Sequence, residues 1–285
     1  MAGKWDDWIG RETRSTDLLS AELAARWCAT FDRTVPEAEE MPQGVHFCLC
    51  TPDAATLELG EDGHPARDDG PGSFLPPIPL PRRMWAASTI NFHTPLRIGA
   101  QVERVSRVAA ITEKSGGSGP LVFVEVANEM RANGTRVVRE QQTLVYREAA
   151  AANAALVPPA PGNAIFDPAE WDAHRVLTPD PRLLFRYSAL TFNTHRIHYD
   201  APYAAQTERY RGLVVHGPLT ASVLLQLAAQ QVGENRLTSF TFRGVSPAIA
   251  GEPLHLVLRE NQGALDLAAF AADGRQVTKA QAALG

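Results

Sequence analysis

The sequence predicts an α+β protein made of two tandem units, each an antiparallel β-sheet curved around a helix. Three observations lead to this prediction: a strand-and-turn pattern that occurs twice, a long apolar helix ahead of the second copy, and an Ala/Pro-rich break between the copies. The chain has 285 residues, of which 45% are hydrophobic, so it can bury a substantial core. This length allows one large domain or two small ones, and the repeated pattern favours two.

The two copies carry matching residues at matching places. Each has a phenylalanine near the end of a first strand, then a proline, a glycine at the start of the next strand, and an Asn-Gly or Asp-Gly pair between two alternating strands. These residues are Phe92, Pro95, Gly99 and Asn133-Gly134 in the first copy, and Phe242, Pro247, Gly251 and Asp273-Gly274 in the second. Such dipeptides supply the positive φ values that two-residue hairpins need. We therefore favour a duplication over two unrelated sheets with similar turns.

The first half begins with a helix signal and ends in a linker signal. Residues 17–31 carry apolar side chains at helical spacing, which predicts a helix capped by Ser20 or Asp17. Residues 60–81 are so rich in Pro, Gly and charge that a long loop is expected. Residues 149–164 have the Ala/Pro composition of an exposed linker. We accordingly predict an N-terminal domain at 1–150, a linker at 151–164 and a C-terminal domain at 165–285.

The second half contains the segment PLTASVLLQLAAQQVG, which predicts a helix of about four turns ending near Gly233. The preceding segment LLFRYSAL has the composition of a strand. Where the second half has its apolar helix, the first half has a proline-broken loop between residues 45 and 85. We therefore expect the first unit to be degenerate and the chemistry to lie in the second.

Charge and cysteine content exclude several function classes. The net charge of -5 argues against a broad basic face for nucleic acid or an anionic membrane. The opening MAGKWDDWIGRE lacks a signal-peptide core and no run of 18 apolar residues occurs, so we expect a cytoplasmic protein. The three cysteines, Cys28, Cys48 and Cys50, fit a reducing compartment and buried packing better than a two-ligand metal clip.

Three of the eight histidines, His195, His198 and His216, lie within 22 residues, close to Asn193 and Asp200. Imidazole exchanges protons near neutral pH, so this cluster is suited to general acid/base catalysis. Each histidine could instead bond a backbone carbonyl, and we favour a functional role most for His198. Gly217 precedes Pro218 at the predicted start of the apolar helix, where free N–H groups can stabilise an enolate oxygen.

A metal site is the competing chemical interpretation, with His195 and His198 completed by His216 or Asp200. Neither their spacing nor a cysteine partner matches known zinc signatures. The sequence also lacks a Gly-rich dinucleotide loop, a P-loop and a serine nucleophile elbow. We therefore expect neither a metal nor a redox cofactor.

The segments RYSALTFNTHRIHYD and LVVHGPL, together with WIGRE, LPRRMWA and EKSGGSGPLVFV in the first half, resemble the MaoC-like acyl-thioester hydratases and dehydratases. The resemblance spans both halves and is closest to the tandem branch with hydroxyacyl-thioester dehydratase type 2 and the hydratases of mesaconyl-CoA and itaconyl-CoA. It implies a double hot-dog fold, in which the two sheets pack edge to edge as in a hot-dog dimer. It also implies a CoA-thioester substrate.

The family's acid/base pair is an Asp followed five residues later by a His, and here those positions are Asn193 and His198. The resemblance implies that His198 is the base, unless His195 or Asp200 contributes, that Asn193 binds water, and that the N–H of Gly217 binds the thioester carbonyl. The predicted substrate-binding residues are His195, Arg196, His216, Arg82 and Arg83.

The expected reaction is hydration of itaconyl-CoA or mesaconyl-CoA to citramalyl-CoA. A 3-hydroxyacyl-thioester dehydratase and a non-catalytic acyl-thioester binding module are the alternatives. A homodimer or higher oligomer of such chains is possible.

Overall fold

The computed structural model describes residues 4–116 and 119–285. Residues 1–3 of the opening segment, and Gly117 and Ser118 of the EKSGGSG segment, therefore lie outside the described residues. The first half contains β1 (Glu12–Leu18), α1 (Ala21–Thr30), β2 (Arg82–Phe92), β3 (Gln101–Gly116), β4 (Gly119–Ala132) and β5 (Thr135–Arg147). The second half contains β6 (Ala173–Leu177), α2 (Pro181–Thr191), α3 (Ala201–Gln206), α4 (Gly217–Val232), β7 (Leu237–Gly244), β8 (Leu254–Asn261), β9 (Ala264–Ala271) and β10 (Gln276–Leu284).

All ten strands form one sheet in the order β1-β3-β4-β5-β2-β7-β10-β9-β8-β6, and every neighbouring pair is antiparallel. Read outward from its centre, each half has the same strand order. The halves meet where Ala87–Asn91 of β2 pairs with Ser239–Arg243 of β7. The sheets therefore join edge to edge, and the prediction of a double hot-dog α+β fold is confirmed.

Backbone hydrogen bonds outside the strands also repeat between the halves, and they fix which residues correspond. In the first half, the N–H of Gly99 donates to the backbone oxygen of Leu19 at 2.7 Å, and in the second half the N–H of Gly251 donates to that of Pro179 at 2.7 Å. In the same way, the N–H of Met41 donates to the backbone oxygen of Leu96 at 2.8 Å, and the N–H of Val215 donates to that of Ala248 at 3.0 Å. Met41 thus corresponds to Val215. Counting one and two residues onward, Pro42 and Gln43 stand where the second half has His216 and Gly217.

The predicted hairpin turns are present. Asn133 and Gly134 have φ values of 48° and 81° between β4 and β5, and Gly274 has a φ of 80° between β9 and β10. L-residues rarely adopt this backbone region, whereas glycine and asparagine tolerate it. A further turn of this kind, Gln262-Gly263, joins β8 and β9 and was not predicted.

The two predicted helices are confirmed, and the predicted strand LLFRYSAL is wrong. Helix α1 is capped by Ser20, whose hydroxyl accepts the N–H of Leu23 at 3.2 Å, and α4 ends at Gly233 as expected. The segment LLFRYSAL, predicted as a strand, forms helix α2. Asp180 caps this helix by accepting the N–H of Leu183 at 2.9 Å, with Pro181 at the first helical position. These start signals outweigh the strand propensity of the aromatic residues.

The first half lacks the long central helix, as expected. Two 3-10 turns, Val45–Cys48 and Thr56–Glu58, stand at that place, and residues 60–81 contain no helix or strand. Residues 148–172, which include the predicted linker, likewise contain neither. An isolated bridge from Val157 to Tyr210 attaches this segment to the second half.

One large core contains residues of both halves. Ile90 of β2 and Phe240 of β7 are directly paired across the junction and have no exposed surface. Cys28, Cys48 and Cys50 are free and buried in this core. Among the described residues no helix is long and apolar enough to cross a membrane.

We expect Phe240→Ala to lower the free energy of unfolding by about 3–5 kcal/mol, the range for deleting a buried phenylalanine side chain. Because the core is shared, urea denaturation followed by circular dichroism should show one unfolding transition, and its midpoint should move to a lower urea concentration in the variant. Thr241→Ala, on the neighbouring exposed position of β7, is the control and should change little. Two separate transitions would contradict a shared core.

Candidate active site

The loop between α2 and α3 brings the predicted polar residues together. Helix α2 ends at Phe192, whose φ of 47° turns the chain away from the helix axis. The side-chain oxygen of Asn193 then accepts the N–H of His195 at 2.9 Å. Residues Arg196–His198 follow as one 3-10 turn. This local hydrogen bonding holds Asn193, His195 and His198 on one short turn.

His198 has the state expected of a general base. Its Nδ1 lies 2.7 Å from the backbone oxygen of Val214, in the segment leading into α4. A carbonyl only accepts, so Nδ1 carries the hydrogen and Nε2 keeps a lone pair. The residue is 7% exposed, and burial together with the charge of His195 lowers the pKa of His198 to about 3, although the Val214 carbonyl acts in the opposite direction. The ring is therefore neutral at pH 7.

His216 packs against His198 and is itself inaccessible. The two rings are stacked, with centroids 3.6 Å apart and an interplanar angle of 19°. The Nε2 atom of His216 lies 2.9 Å from the hydroxyl of Ser188 on α2, and the residue is 2% exposed. Burial, and then the charge of His198, lower the pKa of His216 well below its ordinary value. This burial does not fit the predicted substrate contact, and it places His216 as a support for the His198 ring.

Gly217 follows His216 as the first residue of α4 and is exposed. The first N–H groups of a helix have no acceptor within the helix and lie at the positive end of its dipole. A Cβ at Gly217 would meet no protein atom within 4 Å, and its φ is not in the left-handed region. Neither packing nor backbone strain requires glycine here, so the open approach to the N–H is the feature that glycine provides.

Two residues of the first half, Asp62 and His64, lie next to the turn that carries His195 and His198, and no pattern in the sequence indicates them. The rings of His64 and His195 have centroids 4.1 Å apart, and those of His195 and His198 are 5.5 Å apart. The Nδ1 atom of His64 lies 3.0 Å from Oδ2 of Asp62. A continuous row of titratable side chains therefore runs from Asp62 through His64 and His195 to His198.

Backbone contacts fix this first-half loop against the site loop. The N–H of Arg196 donates to the backbone oxygen of Asp62 at 2.9 Å, and the hydroxyl of Thr194 donates to that of Gly63 at 2.5 Å. Gly63 has a φ of 86°, and a Cβ there would lie 2.0 Å from the Thr194 oxygen. Both the conformation and the close approach require glycine. In the sequence, EDGHP indicates a turn but not what the turn contacts.

The row contains an ionised carboxylate beside a neutral imidazole. Burial raises the pKa of Asp62, but the hydrogen bond and charge of His64 outweigh it and bring that pKa to about 2. Burial, and then the charge of His64, lower the pKa of His195 to about 3 against the opposing effect of Asp62. At pH 7 the Asp62 carboxylate is therefore charged and His195 is not.

Two of the predicted substrate-binding arginines already have carboxylate partners. Arg82 is 8% exposed, and its Nε lies 2.8 Å from the carboxylate of Glu208. Arg196 contacts Asp200 through Nη2 at 2.7 Å and Nε at 3.1 Å, and its guanidinium lies 4.1 Å above the Tyr203 ring. These pairs link the segments around the site and leave neither guanidinium free for a second carboxylate.

Arg83, the third predicted arginine, is different. It is half-buried on β2, and among the described residues its side chain has no hydrogen bond or ion pair. Its charge is among those that lower the pKa of His195, which places the guanidinium within electrostatic reach of the site. Arg83 is therefore available to an anionic group of a ligand.

The metal set considered from the sequence is not assembled. His198 bonds Val214, and Asp200 pairs with Arg196 and caps α3. Within the part of the chain that the structure describes, one group of metal-ligand types does converge, since the ligand atoms of Asp62, His64 and His195 all lie within 4.8 Å of one another. In this group Asp62 and His64 share a hydrogen bond.

Comparison with known proteins identifies the family of this chain. Residues 44–250 match the sequence profile of the family described as hydroxyacyl-thioester dehydratase type 2. The chain is 42% identical over 284 residues to mesaconyl-C(4)-CoA hydratase of Chloroflexus aurantiacus, covering 99% of this chain and 98% of that protein. It is 26% identical over 277 residues to the mitochondrial hydroxyacyl-thioester dehydratase type 2 of Schizosaccharomyces pombe, covering 86% of each.

The solved structures with the same fold include a MaoC-like dehydratase from Phytophthora capsici. It superimposes with a TM-score of 0.69 at 14% identity, over 97% of this chain and 96% of that one. The profile covers most of the chain, and the Chloroflexus relative matches it from end to end. The chain belongs to the hydroxyacyl-thioester dehydratase type 2 family, and it is accordingly an enzyme of the acyl-thioester hydratase and dehydratase class.

Proposed function

We propose that this enzyme adds water reversibly to the double bond of a branched dicarboxylyl-CoA thioester, converting mesaconyl-CoA or itaconyl-CoA to citramalyl-CoA. The observation that carries the proposal is the neutral His198, with its Nε2 lone pair, close to the exposed N-terminus of α4. The 42% identity to a mesaconyl-C(4)-CoA hydratase supports mesaconyl-CoA as the first substrate to test.

In the hydration direction, Nε2 of His198 removes a proton from a water molecule, and the resulting hydroxyl adds to the β-carbon. Asn193 is placed to hold that water, because its Oδ1 already accepts the N–H of His195 and its amide hydrogens remain to donate. The N–H of Gly217 donates a hydrogen bond to the thioester oxygen and stabilises the negative charge that develops there. Such a donor typically contributes roughly 3–4 kcal/mol to transition-state stabilisation.

Arg83 supplies the specificity for a dicarboxylic acyl group. The second carboxylate of such a substrate needs a cation, and a guanidinium binds a carboxylate through two parallel hydrogen bonds. Arg82 and Arg196 are occupied by Glu208 and Asp200, whereas Arg83 has no such partner among the described residues. Arg83 is thus the residue that binds the second carboxylate of the substrate.

A 3-hydroxyacyl-thioester dehydratase is the second candidate, favoured by the family profile over residues 44–250. It would use the same residues in the opposite direction and would not need Arg83. A non-catalytic binding module is disfavoured by the intact His198 and Gly217 and by membership of an enzyme family. Whether the enzyme's activity requires a second carboxylate on the acyl group therefore separates the two catalytic candidates.

Several expectations from the sequence stay predictions beside this proposal. They are a cytoplasmic location, assembly of the chains into a homodimer or higher oligomer, and the division into domains at residues 151–164. The mechanism also draws on no metal or redox cofactor, with CoA entering as part of the substrate.

We expect His198→Gln to lower kcat for hydration by about 10²–10⁴-fold, because a glutamine amide cannot take a proton from water. Loss of the enoyl absorbance of mesaconyl-CoA, and the mass gain of one water, give the rate. His93→Gln, an exposed histidine of the first half, is the matched control. Wild-type turnover in a folded His198→Gln protein would contradict the proposal.

We expect Arg83→Gln to reduce kcat/KM for mesaconyl-CoA by roughly 10- to 100-fold, since a charged hydrogen-bonded pair contributes about 1.5–3 kcal/mol. Crotonyl-CoA lacks the second carboxylate, so its turnover should be unaffected. Arg139→Gln, exposed on β5, controls for loss of a surface charge. An equal loss with both substrates would instead place Arg83 on the CoA moiety.

We expect kcat/KM for hydration to stay level as the pH falls from about 7.5 to about 5. With a pKa of about 3, His198 becomes protonated, and lost as a base, only far below that range. Thermal unfolding at each pH serves as control, because histidines buried in the neutral form cost stability once the pH falls below their unfolded pKa. An acid limb near pH 6.5 would show that His198 is not held neutral.

A further inference from the structure

The hydration reaction involves two proton transfers, one from water to a base and one from an acid to the α-carbon, and His198 is the group that serves the first. Water addition leaves a hydroxyl on the β-carbon and a new proton on the α-carbon. His198 takes up a proton, and the residue five positions before it, Asn193, is an amide that cannot give one. His216 is buried beneath His198, and Asp200 is paired with Arg196. His195, whose pKa of about 3 leaves it neutral at pH 7, is a poor proton donor. A group outside the second half is therefore the better source of the acid.

We propose that His64, in the first half of the chain, is the catalytic acid that protonates the α-carbon, and that Asp62 is the positioning residue that orients it. This inference rests on the hydration reaction proposed above. It assigns to the first half a chemical role in addition to its structural one.

The geometry of the Asp62–His64 pair is that of an oriented acid. His64 Nδ1 donates to Oδ2 of Asp62 at 3.0 Å, which directs Nε2 away from the carboxylate and stabilises positive charge on the ring. The side chain of His64 is 24% exposed, so it can reach solvent and ligand. His64 thus has a ring orientation fixed by Asp62 and a side chain that a ligand can reach.

The loop that carries this pair is held by contacts to the site loop itself. Arg196 and Thr194 bond the backbone oxygens of Asp62 and Gly63, and the N–H of Gly60 donates to the oxygen of His64 at 2.7 Å. His64 is therefore fixed relative to His195 and His198 by neighbouring backbone and not by its side chain alone.

The proton and electron changes balance over one turnover. His198 removes a proton from water as the oxygen bonds to the β-carbon, and the π electrons move toward the thioester oxygen at Gly217. The enolate then collapses as its α-carbon takes the proton from Nε2 of His64. The site now holds a protonated His198 and a neutral His64. His195, whose ring lies between them at 5.5 and 4.1 Å, marks the route by which the proton returns.

Other charged and titratable groups surround this pair and set its electrostatic environment. They are Glu61 on the same loop, His195 and His198 on the site loop, His216 before α4, Tyr203 and Glu208 on and after α3, and Arg83 on β2. Of these, Glu208 is paired with Arg82. The Asp62 carboxylate is the anion in direct hydrogen-bond contact with His64.

The experiment compares His64→Gln and Asp62→Asn with Asp69→Asn, an exposed carboxylate of the same loop. We expect His64→Gln to lower kcat for mesaconyl-CoA hydration by about 10²-fold or more, with little change in KM. The alkaline limb of the pH profile, where the acid loses its proton, should disappear in this variant. In Asp62→Asn kcat should fall with little change in KM, because the His64 ring loses the hydrogen bond that orients it. Asp69→Asn should behave as wild type.

Three outcomes would overturn the inference. The first is wild-type kcat and pH profile in His64→Gln. The second is a loss of kcat in both variants with an unchanged pH profile and a lowered melting temperature, which would make the loop merely structural. The third is stoichiometric zinc in the purified protein with activity lost to EDTA, which would assign Asp62, His64 and His195 to a metal.

The result for His198 distinguishes the two proposals. If His198→Gln is inactive while His64→Gln is fully active, only the role of His64 fails. If wild-type protein hydrates none of mesaconyl-CoA, itaconyl-CoA and crotonyl-CoA, the hydration proposal fails, and with it the role assigned to His64.

Discussion

The pairing of β2 with β7 is the constraint on which the rest of the structure depends. It joins two five-stranded sheets through the segments Ala87–Asn91 and Ser239–Arg243, and it buries Ile90 against Phe240 at the centre of one core. The same pairing positions the beginning of β2, which includes Arg83, within electrostatic reach of His195 in the second half. The loop before β2 follows and docks on the site loop. A sheet contact far from the chemistry thus assembles the site from both halves.

Within this symmetric frame the two halves differ at the place where chemistry occurs. Pro42 and Gln43 occupy the first-half positions that correspond to His216 and Gly217, and two short 3-10 turns stand in place of the long helix. Proline offers no imidazole, and so short a turn offers little of the dipole of a four-turn helix. A cavity of about 170 Å³ remains there, lined in part by Gln43 and Leu96. This cavity is also lined by His46 and His93, but it has no counterpart of His216 or Gly217 at positions 42 and 43.

The sequence alone predicted the features that depend on local pattern. The duplicated turns and the apolar helix α4 follow from spacing within short segments, and so does the position of Asn193, His195 and His198 on one short turn. The aromatic residues of LLFRYSAL favour a strand, but Asp180 and Pro181 start a helix there, and their effect is the stronger. Asp62 and His64 could not be predicted, because 131 residues separate Gly63 from its partner Thr194 and only tertiary docking brings them together.

Duplication within one chain explains how the first half can contribute to a single site. In a dimer of identical subunits, any loop that reaches across to the partner's site must occur in both copies, and each copy must also keep its own helix and catalytic groups. Fusion removes this requirement. The first half can then replace its central helix by the two 3-10 turns and a long loop, because the second half retains α4. That loop, fixed by Gly63 against Thr194, places a carboxylate–histidine pair beside the half whose own position 193 holds an amide.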